Sequence, residues 1–152
     1  MPVKQSDLET AFSFFNEIGI IAQLSSNEFQ RSLPHDLTPA QFSVLNWFSR
    51  VDTQANPTRL ATAFQVTKGA MTNTLKKLEA KGFVQVVPDE SSGRSKVVTM
   101  TAAGKAARQD ALKAMAPVLE AFVKAFPAKL LAGQLPELRN IRRYLDVARY
   151  ED

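Results

Sequence analysis

The chain contains no cysteine. Disulfides, thiolate metal sites and cysteine redox sensing are therefore excluded. A reducing compartment suits such a chain, and a cytoplasmic location is expected. Histidine is nearly as scarce. His35 is the single one, so no histidine cluster can hold a metal. No run approaches the ~18 apolar residues that a membrane span needs, and no membrane partner is expected. The opening MPVKQSDLETAF has no apolar run fit for a signal peptide. No glycine-rich loop is present to cradle a nucleotide. No nucleophile has an evident base beside it. These gaps argue against an enzyme and against any cofactor or metal.

What is present suits a globular protein. The 152 residues are 45% hydrophobic and 22% charged, which fits one domain or one compact domain with appended helices. A chain of this length can hide roughly two-thirds of its unfolded surface. The net charge of +4 is unevenly spread. Residues 57–105 hold eight lysines or arginines and three acids, a local balance of +5, while the rest of the chain balances at −1. A patch of that kind gathers polyanions, although a merely solvated basic surface would have the same composition.

Periodicity divides the chain into helices and one hairpin. Residues 7–32 read as a helix with Leu8, Phe12, Phe15, Gly19 and Ala22 on one stripe. Phe14, Ile18 and Ile21 widen that stripe, so this helix is buried by more than its own domain. Thr38 and Pro39 open a second helix, with Phe42, Leu45 and Trp47 or Phe48 facing inward. Asn56 and Pro57 open a third, with Leu60, Ala61 and Phe64 as its apolar face. Gln65, Val66 and Thr67 then form a short turn, and Thr67 caps a fourth helix that stops at Gly82. Two short helices joined this way make a helix-turn-helix. Beyond Gly82 the period changes to that of strands. FVQVV and KVVTMT flank the turn-forming PDESSGR, which gives a hairpin. Thr101 caps a long helix in which Pro117 should introduce a kink. Pro127 and Gly133 are expected to end that helix, and a last one near 135–149 carries Leu138, Ile141, Leu145 and Ala148 on one stripe. The fold class is mainly α within α+β: a winged helix-turn-helix flanked by apolar helices.

The fourth helix raises a question of chemistry. Gly69, Thr72, Asn73 and Lys76 share a face at helical spacing. That face offers hydrogen-bond donors and positive charge with almost no acid. A solvated face could lack acid by chance. A major groove, with phosphates on both sides, would require such a face.

At LTPAQFSVL, LATAFQVTKGAMTNTLKKLEAKGFV and GRSKVVTMTAAG the chain resembles the multiple-antibiotic-resistance regulator (MarR) family of bacterial transcription factors. The resemblance is closest over residues 37–104. It implies a homodimer in which a helix at 1–35 and helices at 102–152 interlock, with residues 36–101 forming the DNA-binding winged helix. It implies a repressor that binds double-stranded DNA at pseudopalindromic operators, with one helix in a major groove and the wing in the adjacent minor groove. Many relatives are released from DNA by small, often phenolic, ligands, so a small aromatic effector is implied as well. In this frame Thr67 and Lys68 sit at a helix N-terminus suited to a phosphate. Gly69 lets the backbone come close, Thr72 and Asn73 bond to bases or phosphates, and Lys76 and Lys77 reach phosphates. Arg94 is the residue for the minor groove, supported by Lys96. The family usually has an acid two residues before this arginine. Here Ser92 stands there, which leaves Asp89 or Glu90 to brace it. His35 and Trp47 are the candidates for lining an effector pocket. The alternative is a winged-helix module that binds protein rather than DNA. Its cue would be an apolar or acidic fourth helix, and this one is neither.

Overall fold

A computed structural model describes residues 1–149. Tyr150, Glu151 and Asp152, the end of the expected C-terminal dimerisation region, lie outside the described residues. The elements run α1 (Gln5–Ser32), α2 (Pro39–Arg50), β1 (Gln54–Ala55), α3 (Pro57–Phe64), α4 (Lys68–Ala80), β2 (Val84–Asp89), β3 (Ser92–Met100), α5 (Ala102–Ala125) and α6 (Ala128–Ala148). They fall into two compact units, Met1–Met115 and Ala116–Asp152.

In the first unit α2, α3 and α4 each start where a side chain satisfies a free N–H group, whereas α1 begins after Lys4 with no side-chain cap. Thr38 and Gln41 form a reciprocal capping box on α2, with Pro39 in the first turn. Asn56 Oδ1 accepts from the Arg59 N–H at 2.7 Å to open α3. Gln65 ends α3 in the left-handed conformation, φ 51. Thr67 Oγ1 accepts from the Ala70 N–H at 3.1 Å and opens α4 only two residues later. The end of α4 is closed by Gly82 at φ 77, which brings the Phe83 N–H to Leu78 O at 2.9 Å. The turn, the caps and the glycine stop are as the sequence predicts.

The sheet differs from a simple hairpin. Its order is β1-β3-β2, because Gln54 and Ala55 pair with Thr99 and Val98. Two residues are too few to show a period, so β1 leaves no sequence signal. The expected PDESSGR loop is also shorter than predicted, since β2 runs through Pro88 to Asp89 and β3 begins at Ser92. Pro88 is tolerated because β2 is an edge strand and needs no outward N–H. Inward residues Val84, Val98, Leu45, Leu60, Leu75 and Leu78 make the core with Trp47 and Phe48. Phe42, predicted to point inward, is only half-buried.

The first half of α5 belongs to this core. Gly104, Ala107, Ala111 and Met115 are buried, and the first compact unit runs to Met115. Thr101 ties the helix start to the end of α4. Its hydroxyl donates to Gly82 O at 2.5 Å and accepts from the Gly104 N–H at 3.0 Å.

In the second unit α5 continues through Pro117 to Ala125, and α6 begins at Ala128. The predicted stop at Gly133 and start near 135 are corrected: Gly133 and Pro136 both lie inside α6. The surrounding Ala, Lys, Leu and Gln are strong helix formers, and they outweigh a glycine penalty of about 1 kcal/mol. Neither α1 nor α6 contains a buried residue.

Candidate nucleic-acid interface

The face of α4 opposite Met71, Leu75 and Leu78 is open to solvent. Lys68, Gly69, Thr72, Asn73, Lys76 and Lys77 are all exposed. Burial of the three apolar residues at steps of four and three fixes which side points out. The side chains of this face are therefore displayed by the core and not by chance rotation.

Beside α4, the hairpin and the start of α3 close a groove of about 480 Å³. Lys68, Thr72 and Lys76 enter it from α4, and Arg94, Ser95 and Lys96 from the wing. Glu79 is the one acid among its lining residues, against four cations. Leu75 and Val86 supply apolar surface between them. Five of the nine predicted DNA-contact residues thus share one concavity. Gly69, Asn73 and Lys77 are exposed on α4 outside it. Thr67 is exposed as well, but its hydroxyl oxygen is engaged as the helix cap. Asn56, Pro57 and Thr58 also line the groove. Sequence reasoning assigned them only to a helix start, since nothing local in Asn-Pro-Thr shows that α3 begins beside the wing.

A break in the ladder aims Arg94. Pro88 pairs with Lys96, whereas Asp89 pairs with Ser92. Gly93, Arg94 and Ser95 are therefore extra on β3, and such bulges redirect side chains at strand ends. Among the described residues Arg94 makes no ion pair. Asp89 does not brace it, for its carboxylate accepts from the Ser91 hydroxyl at 2.7 Å and the Ser91 N–H at 3.0 Å. Those two bonds hold Asp89 below the ordinary carboxylate value.

Not every cation of the 57–105 segment is available to a ligand. Arg59 donates to Asp52 at 2.7 Å and lies 5.0 Å over the Trp47 ring. Lys81 donates to two acceptors within the subunit. The two candidate effector residues are engaged as well. Trp47 is 6% exposed, within the core and edge-on to Phe48. His35 Nε2 lies 2.8 Å from Asp110 Oδ2, with its ring edge-on to Phe83. Among the described residues no cluster of His, Asp or Glu could hold a metal ion, and no helix is long and apolar enough to cross a membrane.

Known proteins resemble the chain in sequence and in fold. Residues 35–95 match the model of the MarR family. An HTH-type transcriptional repressor of Mycobacterium tuberculosis is 35% identical over 114 residues, covering 74% of this chain and 76% of that protein. A crystal structure of MarR superposes with a TM-score of 0.80 at 25% identity, covering 90% of this chain and 93% of the other. A mutant MarR from E. coli complexed with operator DNA superposes at 0.64 with 27% identity, covering 84% of this chain and 96% of the other. These relatives are regulators and not enzymes. With its helix-turn-helix, its wing and this kinship in place, the chain belongs to the MarR family of transcriptional regulators.

Proposed function

We propose that the chain is a homodimeric cytoplasmic repressor that grips pseudopalindromic operator DNA with α4 and the wing. The observation that carries this reading is the groove in which Lys68, Thr72 and Lys76 of α4 face Arg94 and Lys96 of the wing. The α4 face enters a major groove, where Thr72 and Asn73 meet base edges or phosphates. Gly69 lets the helix backbone come close. Lys68 and the free N–H groups behind Thr67 take one phosphate, and Lys76 and Lys77 take others. Arg94, freed of acid partners, enters the adjacent minor groove, with Lys96 beside it. Two-fold symmetry places the half-sites about one helical turn apart. The relative solved with operator DNA supports this docking. The apolar residues that α1 and α6 expose support a second copy that covers them. A small aromatic acid that releases the duplex fits the same scheme.

The test is a titration against a duplex selected by the protein from a random-sequence pool, and against an unselected duplex. If about six phosphates are neutralised, log K falls with log salt at a slope near −5. Arg94→Ala is expected to weaken the selected duplex by roughly 10–100-fold and to erode its preference. Lys77→Ala should weaken both duplexes alike and reduce the slope by about one. Equal losses for the two variants on both duplexes would refute the assigned roles. No binding to any duplex would favour a protein-binding winged helix. Aromatic carboxylates added to the bound complex test for an effector.

A further inference from the structure

Lys81 follows the last turn of α4, yet its charge is not directed to the cationic face. Its Nζ donates to Asp36 O and to Gln41 Oε1, each at 2.8 Å. Those acceptors lie 45 and 40 residues earlier in the chain. Gln41 is itself buried, at 3% exposure, and its Oε1 also accepts from the Thr38 N–H. Asp36 sits with His35 in a loop where both are left-handed, at φ 53 and 59. Such conformations are uncommon for non-glycine residues and persist where neighbours hold them. Here the Leu37 N–H bonds to Pro34 O, His35 meets Asp110 of α5, and Lys81 holds the Asp36 carbonyl.

We propose that Lys81 is a positioning residue, which fixes the C-terminal end of α4 to the 34–36 loop and so sets the angle at which α4 meets DNA. This rests on the DNA-binding reading above. Apolar contact through Met71, Leu75 and Leu78 decides which side of α4 faces inward, but it is non-directional. The 13 residues of α4 span about 20 Å, so a swing of ~5° about one end moves the other by nearly 2 Å. Hydrogen bonds tolerate only a few tenths of an ångström. Two of them from one ammonium, to acceptors on α2 and the loop before it, add direction to that packing at the C-terminal end of α4. Charge-assisted bonds are also the stronger kind. A leucine at 81 would fill similar volume and supply neither direction nor reach.

The test compares Lys81→Met with the wild type on the selected and unselected duplexes across a salt series. Affinity for the selected duplex should fall about tenfold, the size of one hydrogen bond to a charged group. The unselected duplex should lose less than about twofold, because non-specific binding needs charge rather than alignment. The salt slope should not change. Lys81→Arg, which retains the donors, should restore most of the affinity. Gln41→Met should show the same preference for harming the selected duplex and add less than additively to Lys81→Met, although it also removes the acceptor of the Thr38 N–H and should lower the melting temperature on that account. A slope reduced by about one would make Lys81 a phosphate contact and overturn the proposal. Wild-type affinity in Lys81→Met, or equal losses on both duplexes, would overturn it too. So would loss of cooperative melting in Lys81→Met, which would make the lysine a stability residue. If the wild type binds no duplex, the DNA-binding reading fails first and this one falls with it.

Discussion

Asp52 and Arg59 stand on either side of β1, with the single tryptophan beneath them. The Arg59 guanidinium bonds to Asp52 and covers the Trp47 ring, which joins a surface ion pair to the core. The hydrogen bond from Arg59, and then that from the Thr53 N–H, hold the Asp52 carboxyl below its ordinary value of 3.8. A carboxyl lowered in the folded chain binds fewer protons there than in the unfolded chain. Its contribution is complete above the ordinary value and is lost as pH falls through the lowered one. Because Trp47 is the single tryptophan, all tryptophan emission comes from this one site, under the Arg59 guanidinium and against the core. An acid titration should show a change in Trp47 emission below pH 3.8, before global unfolding. Asp52→Asn should remove that step and leave an emission independent of pH in the window. A step unchanged in Asp52→Asn would show that another group governs the tryptophan.

At the scale of elements, two glycines with opposite surroundings separate folding from docking. A Cβ on Gly104 would overlap the Phe83 carbonyl and press on Met100. That close approach is what lets α5 start directly against the end of α4. Gly104→Ala should therefore cost about 1–3 kcal/mol through forced backbone shifts, less the roughly 1 kcal/mol that alanine returns as a helix former. Thermal unfolding should move down by several degrees. A Cβ on Gly69 would meet nothing within 4 Å, so Gly69→Ala should raise stability by about 0.5–1 kcal/mol. If α4 docks as proposed, the same variant loses operator affinity, and a melt and a titration on each protein would show the two signs. Gly69→Ala binding at full strength would mean that the backbone does not approach DNA at that point. The contrast also shows what is legible in sequence. Caps and stops are set by side chains within three residues, so Thr38, Asn56, Thr67 and Gly82 could be read directly. The outward face of α4 follows from the period of Met71, Leu75 and Leu78. Features set by distant neighbours could not be read: β1 exists only because β3 lies beside it, and the groove includes Asn56 and Thr58 only because α3 starts near the wing. Lys81 looks from composition like part of the basic patch and is withdrawn by acceptors 40 or more residues away. The misplaced start of α6 has another cause, since a local glycine penalty was outweighed by its helix-forming neighbours.

Each of the two compact units carries a long helix with exposed apolar side chains. On α1, Leu8, Phe12, Phe15, Ile21 and Leu24 are each about half exposed or more. On α6, Leu130, Leu138, Tyr144 and Leu145 are likewise open. Burying one such side chain is worth about 1.5–3 kcal/mol, so leaving these nine in water is a large unfavourable term for a monomer. A polar surface would have cost nothing at these positions, and the exposed residues run from Leu8 to Leu24 on α1 and from Leu130 to Val147 on α6. In the proposed dimer a second copy would supply a matching surface through two-fold symmetry. Light scattering should accordingly find a species of twice 16.8 kDa at micromolar concentration, with a melting temperature that rises with protein concentration. Leu24→Asp on α1 or Leu138→Asp on α6 would bury a carboxylate without a partner, and each should shift the species toward a single chain. The DNA titration then links assembly to function. One chain carries one α4 and one wing, so the dissociated variants should show about half the wild-type salt slope and little preference for the selected duplex. A wild-type chain that scatters as 16.8 kDa while keeping the full slope would leave the exposed stripes without the role argued for them, and operator recognition would then have to be carried by one winged helix alone.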